Sequence, residues 1–179
     1  MTTDNAQITA VREVVQQFDR LERNPGETAH VQDLLQKQTG PLMTGFLVGY
    51  LIDRDSVRDP NRADAVLSSL LGTSAVARLA GNDIANALAG DCYRLSDAAR
   101  KTVAENLVAT AAGTDHDVAR YAFSALVRMA NSGLVDMKTY ITPARRERLA
   151  ENYRTLLSEH RIPKASSSFE TDLGVGRTQ

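Results

Sequence analysis

Apolar residues recur every three or four positions over most of this chain, which is the spacing of an amphipathic α-helix. The pattern is clearest over residues 95–133, where two striped segments are separated by Gly113 and Thr114. The second stripe is broad enough to need cover from more than one side. We therefore expect an antiparallel helix pair whose remaining apolar surface packs against other helices.

The ends of this pair carry recognisable capping residues. Ser96 suits the N-cap of its first helix, and Gly113 suits the left-handed residue that ends it. Thr114 as N-cap and Asp117 three residues later form a variant of the capping box at the start of the second helix. Gly133 follows the second stripe and predicts its end.

The same spacing predicts a chain of seven to nine helices. Gly81 and Gly90 read as helix ends, which divides the segment after Gly72 into two short helices. Thr142 and Pro143 predict the start of the last helix. The remaining predicted helices cover approximately residues 5–23, 27–38, 42–52, 60–71, 74–80 and 83–89.

Composition supports an all-α fold. The 179 residues are 42% hydrophobic but only 5% aromatic, with no Trp, which favours closely packed helices with an Ala, Leu and Val core. We expect one compact domain of stacked antiparallel helix pairs over residues 1–162. Residues 163–179 have too few apolar side chains to fold alone and predict a flexible C-terminal tail.

Charge and targeting signals predict a soluble cytoplasmic protein. The net charge of −1 gives no overall attraction to nucleic acid or to an anionic membrane. The single Cys92 excludes an intramolecular disulfide and fits a reducing compartment. The chain has no signal peptide pattern and no apolar run of the ~20 residues that a membrane span needs. Dedicated secretion is left open.

Two glycines on one face of the predicted helix over residues 42–52 form the first candidate site. Gly45 and Gly49 lie four residues apart, and each costs about 0.8–1.0 kcal/mol relative to Ala in a helix interior. Close approach of a neighbouring helix would compensate for this cost. Contact with a partner or ligand is the alternative.

The dipeptide His116-Asp117 is the candidate for catalysis. Metal-dependent phosphohydrolases of the HD type hold their metals with such a dipeptide and with separate His and Asp residues, for which this chain offers His30 and Asp136. Helix capping by Asp117 explains the dipeptide more simply. Cys92 has no neighbouring base and reads as a core residue. We expect no cofactor, since the chain lacks phosphate-binding and dinucleotide-binding glycine motifs.

A basic turn at the start of the last helix is the second candidate surface. Arg145, Arg146 and Arg148 oppose the positive end of the helix dipole. Pairing of Arg148 with Glu151 explains part of this cluster. An acidic partner would explain the remainder, whereas sequence-specific binding of nucleic acid is not expected without interleaved aromatic residues.

The run DHDVARYAFSAL over residues 115–126 resembles a helix of a HEAT-type or armadillo-type repeat. The resemblance extends to two or three helix pairs separated by glycine-centred turns. It implies a short right-handed helical stack that binds another macromolecule on its concave side.

These observations predict a non-catalytic protein-interaction module, such as an adaptor, an immunity-type inhibitor or an effector that acts by binding. The expected partner is a protein with an acidic surface, and neither a membrane nor nucleic acid is expected; self-association is left open. One alternative is a metal-dependent phosphohydrolase-like enzyme centred on His116 and Asp117. A second is a nucleic-acid-associated regulator that uses Arg145, Arg146 and Arg148.

Overall fold

The computed structural model describes residues 48, 49, 51, 52 and 59–176. Six α-helices of four residues or more span most of the continuous part, joined by turns and two short 3-10 helices at Cys92–Arg94 and Met137–Thr139, which confirms the all-α fold. The predicted helices over 5–23 and 27–38 and most of that over 42–52 lie outside the described residues. The α-helices are α1 (Pro60–Leu70), α2 (Ser74–Asp91), α3 (Asp97–Ala111), α4 (His116–Asn131), α5 (Pro143–Ser158) and α6 (Ser167–Leu173).

The first four helices form two stacked hairpins. Helix α1 packs against α3, and α2 packs against α4, so that each helix of the first hairpin meets its counterpart in the second. The contacts between α2 and α4 are the most extensive in the described part of the chain. Equivalent helices in the two hairpins therefore run side by side in the same direction.

Hydrogen bonds between the hairpins keep a nearly constant spacing in sequence. Between α1 and α3, Asn106 donates to the Ser68 hydroxyl, 38 residues away. Between α2 and α4, Arg128 donates to the Asn86 side chain, 42 residues away. At the N-terminal ends of the same two helices, the Ser74 hydroxyl donates to Asp115, 41 residues away. The second hairpin thus repeats the placement of the first.

Helices α5 and α6 add a third, shorter layer. Helix α5 packs on α3 and α4, and α6 packs on α4 and α5. Tyr153 of α5 is buried between Phe123 of α4 and Phe169 of α6, with ring centroids 6.0 and 6.3 Å away. This aromatic group joins the third layer to the hairpin core.

The prediction of two short helices over residues 74–89 is wrong, because α2 continues through both Gly81 and Gly90. At Gly81 a Cβ atom would lie 2.5 Å from the Tyr121 ring, so this glycine permits the close contact between α2 and α4. At Gly90 a Cβ atom would meet nothing within 4 Å. Neither glycine ends a helix.

The prediction of a flexible tail does not hold for residues 163–176. Ala165, Phe169 and Leu173 are buried in the core, and α6 ends at Gly174 in the left-handed conformation. The Tyr153 hydroxyl accepts the backbone N–H of Ala165 at 3.0 Å and donates to Glu170 at 2.9 Å. The few apolar residues of this segment are sufficient because α4 and α5 supply the rest of the core.

One predicted N-cap is shifted by one residue, and one glycine does not adopt the predicted left-handed conformation. Ser96 is confirmed as the N-cap of α3, where its side chain accepts from the backbone N–H of Ala99. The N-cap of α4 is Asp115 rather than Thr114, since the Asp115 carboxylate accepts from the backbone N–H of Asp117. The left-handed glycine after α4 is Gly133, with φ of 74°, whereas Gly113 does not adopt a positive φ.

None of the helices in the described part of the chain is both long and apolar enough to cross a membrane.

Candidate functional site

The side chain of His116 is engaged in a buried hydrogen-bond network. Asn152 of α5 donates from Nδ2 to the backbone oxygens of Ala111 and Gly113, both at 2.8 Å. Because these carbonyls can only accept, they fix the orientation of the amide group. The Asn152 Oδ1 atom then faces His116 Nε2 at 3.1 Å and accepts a hydrogen bond from its N–H group. His116 therefore helps Asn152 to hold the turn between α3 and α4.

The proposed metal ligands are not brought together. Asp117 is bonded to the Arg161 guanidinium, and Asp136 caps the 3-10 helix by accepting from the backbone N–H of Lys138. His30 lies outside the described residues. Among the residues that are described, no three His, Cys, Asp or Glu side chains are close enough together to hold a metal ion.

Cys92 is buried at the end of α2, as the sequence predicts for a core residue. Its thiol donates to the backbone oxygen of Ala89 at 3.2 Å. This hydrogen bond therefore stabilises the last turn of α2.

The basic turn at the start of α5 is exposed. Arg145, Arg146 and Arg148 all lie on the surface, and the predicted pair between Arg148 and Glu151 is confirmed at 3.5 Å. Since α5 is the outermost long helix of the described stack, a polar outer face is what its position requires.

The glycine face can be followed only in part. Gly45 lies outside the described residues, and a Cβ atom built on Gly49 would meet nothing within 4 Å. Among the described residues, a close helix approach at a glycine is found at Gly81.

Three arginines from different segments surround Asp117, and sequence reasoning missed this cluster. The hydrogen bond from Arg161 and its positive charge lower the pKa of Asp117, with smaller contributions from the charges of Arg120 and Arg78. We call these three residues, Arg78, Arg120 and Arg161, the arginine cluster. No local motif connects them, since α2, α4 and the segment after α5 each supply one.

Within this cluster, Arg120 packs on the neighbouring Tyr121. The Arg120 guanidinium lies 4.3 Å from the centre of the Tyr121 ring and donates to the Tyr121 hydroxyl. The Arg120 Nε atom is buried and has no hydrogen-bond partner in the described part of the chain. The Tyr121 ring in turn covers Gly81. The α2–α4 contact therefore holds the Arg120 side chain in a defined position.

Asp64 is a second residue that the sequence reasoning missed. It is buried on α1, and neither carboxylate oxygen has a hydrogen-bond partner among the described residues. Burial, together with the negative charge of Asp91, raises the pKa of Asp64 to about 7, although the positive charge of Arg94 opposes this shift. The sequence feature that could have identified Asp64 as buried is its position three residues before Leu67, on the apolar stripe of α1.

An open cleft of about 480 Å³ lies between the turn that follows α1 and the turn that follows α3. The Asp115 carboxylate stands at this cleft, 3.4 Å from the Ser74 hydroxyl at the start of α2. Small side chains leave the space open. The lining residues are Gly72, Ser74, Ala109, Thr110, Gly113, Thr114, Asp115 and Val118.

In comparisons with known proteins, the chain matched no family model, no curated protein and no solved structure.

Proposed function

We propose that this protein is a non-catalytic interaction module, of the adaptor or inhibitor kind, that recognises another protein through its stacked hairpins. The observation that carries the proposal is the parallel packing of α2 on α4, with contacts repeated 41 and 42 residues apart. Consecutive hairpins stacked in this way present one continuous surface, which is how helical-repeat proteins bind macromolecules. The resemblance of α4 to a HEAT-type helix is in keeping with this arrangement.

The outer side of these two helices is the proposed binding face. Its exposed side chains include Arg78, Asn82 and Asn86 on α2 and Arg128 on α4. The helical backbone that carries these side chains is already ordered, so binding costs mainly side-chain entropy. We define these four residues as the α2–α4 face.

The residues that suggested catalysis have structural partners, which also supports a binding role. His116 is bonded to Asn152, Asp117 is bonded to Arg161, and Cys92 is bonded to its own helix. Each of these bonds contributes to a helix end or to a contact between helices. We therefore propose that recognition is carried by the outer surface.

Affinity capture from native lysate with the full chain as bait tests the proposal. The variant Asn82→Glu with Asn86→Glu places two negative charges on the α2–α4 face and should abolish capture of the wild-type partner. Surface substitutions of this kind change the free energy of unfolding by only about 0.5 kcal/mol, so thermal melting should remain close to wild type.

The matched control is Arg145→Ala with Arg146→Ala, which changes the net charge by the same amount at the basic turn. We expect this control to capture the partner normally. Capture lost only in the control would overturn the assignment of the α2–α4 face. A wild-type bait that enriches no protein beyond those found with an unrelated helical bait would overturn the interaction module itself.

A further inference from the structure

The arginine cluster stands at the N-terminal end of the α2–α4 face. Arg161 reaches it from the segment after α5 and donates to both Asp117 and Glu159, the latter at 3.4 Å. Arg120 lies one helical turn after Asp117 on α4. Segments far apart in sequence thus bring their guanidinium groups to one carboxylate.

Helix register places Arg78 in the same cluster. On α2, Arg78 lies between Ser74, which contacts Asp115, and Gly81, which contacts Tyr121. On α4, the residues between those two contact points include Asp117 and Arg120. The side-by-side packing of the helices therefore sets Arg78 opposite these residues, and its charge acts on Asp117.

Arginine side chains are concentrated at this place. Three guanidinium groups lie near the carboxylates of Asp117 and Glu159, with the N-cap residue Asp115 beside Ser74, and Arg78 is exposed and makes no ion pair within the described residues. The N-terminal ends of α2 and α4 lie beside each other here and add their partial positive charge. The Asp117 side chain is 55% exposed, so an incoming group can reach the cluster.

We propose that the arginine cluster binds a carboxylate-rich segment of the partner protein, and that Asp117 occupies part of this site in the free protein. This inference rests on the proposed interaction function. Arginine donates strong hydrogen bonds to carboxylates, and Arg161 already donates one to Asp117. A carboxylate of the partner competes with Asp117 for these donors.

An acidic protein segment fits this surface better than nucleic acid does. Asp117 and Glu159 repel a continuous phosphate backbone, whereas a peptide can place its separate carboxylates between them. Tyr121 is buried beneath Arg120 and offers no exposed ring on which a base can stack.

Fluorescence anisotropy with the full chain and a short labelled peptide of alternating Glu and Ser tests this inference, with a Gln and Ser peptide as the uncharged reference. Arg78→Glu with Arg161→Glu should weaken binding of the acidic peptide by about tenfold or more. Asp117→Asn should strengthen it about threefold, because the internal competitor is removed. Binding should also weaken as salt increases.

Arg145→Glu with Arg146→Glu is the matched control, because it changes the net charge by the same amount outside the cluster. It should bind the acidic peptide within about twofold of wild type. Arg78→Glu alone serves if the double variant melts early, since Arg78 makes no ion pair within the described residues. It should still weaken binding.

The inference is overturned if wild type does not prefer the acidic peptide, if the control loses as much affinity as the cluster variant, or if Asp117→Asn binds more weakly. Tighter binding of a labelled oligothymidylate than of the peptide would also overturn it in favour of a nucleic-acid ligand. Capture of a protein from lysate by the same wild-type chain would show that only this inference, and not the interaction module, had failed.

Discussion

Asp64 is the least expected side chain of the buried core. An ionised carboxylate without hydrogen bonds is unfavourable in the protein interior, and Asp91 adds repulsion. The raised pKa of about 7 means that the folded protein retains a proton on Asp64 when the unfolded chain has already lost it. Protonation of Asp64 adds its full contribution to the free energy of unfolding when the pH is below the ordinary pKa of 3.8. This contribution is lost as the pH rises to about 7.

We therefore expect the wild-type free energy of unfolding to fall by about 2–3 kcal/mol through Asp64 between about pH 5 and pH 8. Asp64→Asn keeps the shape of the side chain without an ionisable proton, so it should be more stable than wild type at the higher pH. Urea unfolding followed by circular dichroism at both values measures this difference.

Asp83→Asn is the control for Asp64→Asn, because Asp83 is exposed on α2. It should retain the pH dependence of wild type. The same pH dependence in wild type and in Asp64→Asn would contradict the assignment to Asp64.

Asn152 shows that one residue pattern can fit two different kinds of chemistry. The dipeptide His116-Asp117 resembles a metal motif, but the partner of its imidazole lies 36 residues away. Nothing in the spacing of polar residues shows that Asn152 will meet the turn after α3. The alternative from helix capping came closer, although the cap itself is Asp115.

At the scale of the elements, α2 contains two glycines with opposite roles. Gly81 gives α2 room for the Tyr121 ring, whereas Gly90 is exposed and has open space around its Cα. Helix propensity alone would predict that alanine stabilises both positions. At Gly81 the overlap of an added methyl group with the Tyr121 ring outweighs this gain.

We expect Gly81→Ala to lower the free energy of unfolding by about 1–3 kcal/mol, because the new methyl group overlaps the Tyr121 ring. Gly90→Ala should instead raise it by about 0.4–1 kcal/mol. Chemical denaturation of both variants and wild type measures these changes. A stabilised Gly81→Ala variant would mean that α2 and α4 are not in such close contact.

The sequence was sufficient for the type of structure and for several helix starts. Helices begin at Pro60, after Ser96, and at Thr142 and Pro143, as the sequence predicts. It was not sufficient at Gly81, because a glycine that ends a helix and one that admits a ring look alike until the neighbouring helix is known. The arginine cluster was missed for the same reason, since its members meet only through packing.

At the scale of the whole molecule, α6 completes the third layer. The aromatic contact of Phe169 with Tyr153 and the bonds of the Tyr153 hydroxyl fix residues 163–176 against α4 and α5. The sequence could not predict this, because the segment has few apolar residues of its own and depends on a cavity formed by other helices.

Phe169→Ala should therefore lower the free energy of unfolding by about 3–5 kcal/mol, as expected for removal of a buried ring. It should also make the chain more sensitive to trypsin at Lys164, which precedes α6. Chemical denaturation and limited proteolysis measure the two effects.

Tyr93→Ala is the control for Phe169→Ala, because the Tyr93 side chain is 69% exposed. It should change stability by less than about 0.5 kcal/mol. Equal and small effects of the two substitutions would restore the prediction of a flexible tail.

The layered packing also governs how the chain can assemble. In the principal contacts of the described region, no two packed α-helices are more than two places apart in the order of the chain. Each new hairpin can therefore add to a core that already exists, as the chain leaves the ribosome, without waiting for a distant segment to close the structure. On this route the last piece to arrive is α6, which covers Tyr153 only after all the other described helices are in place.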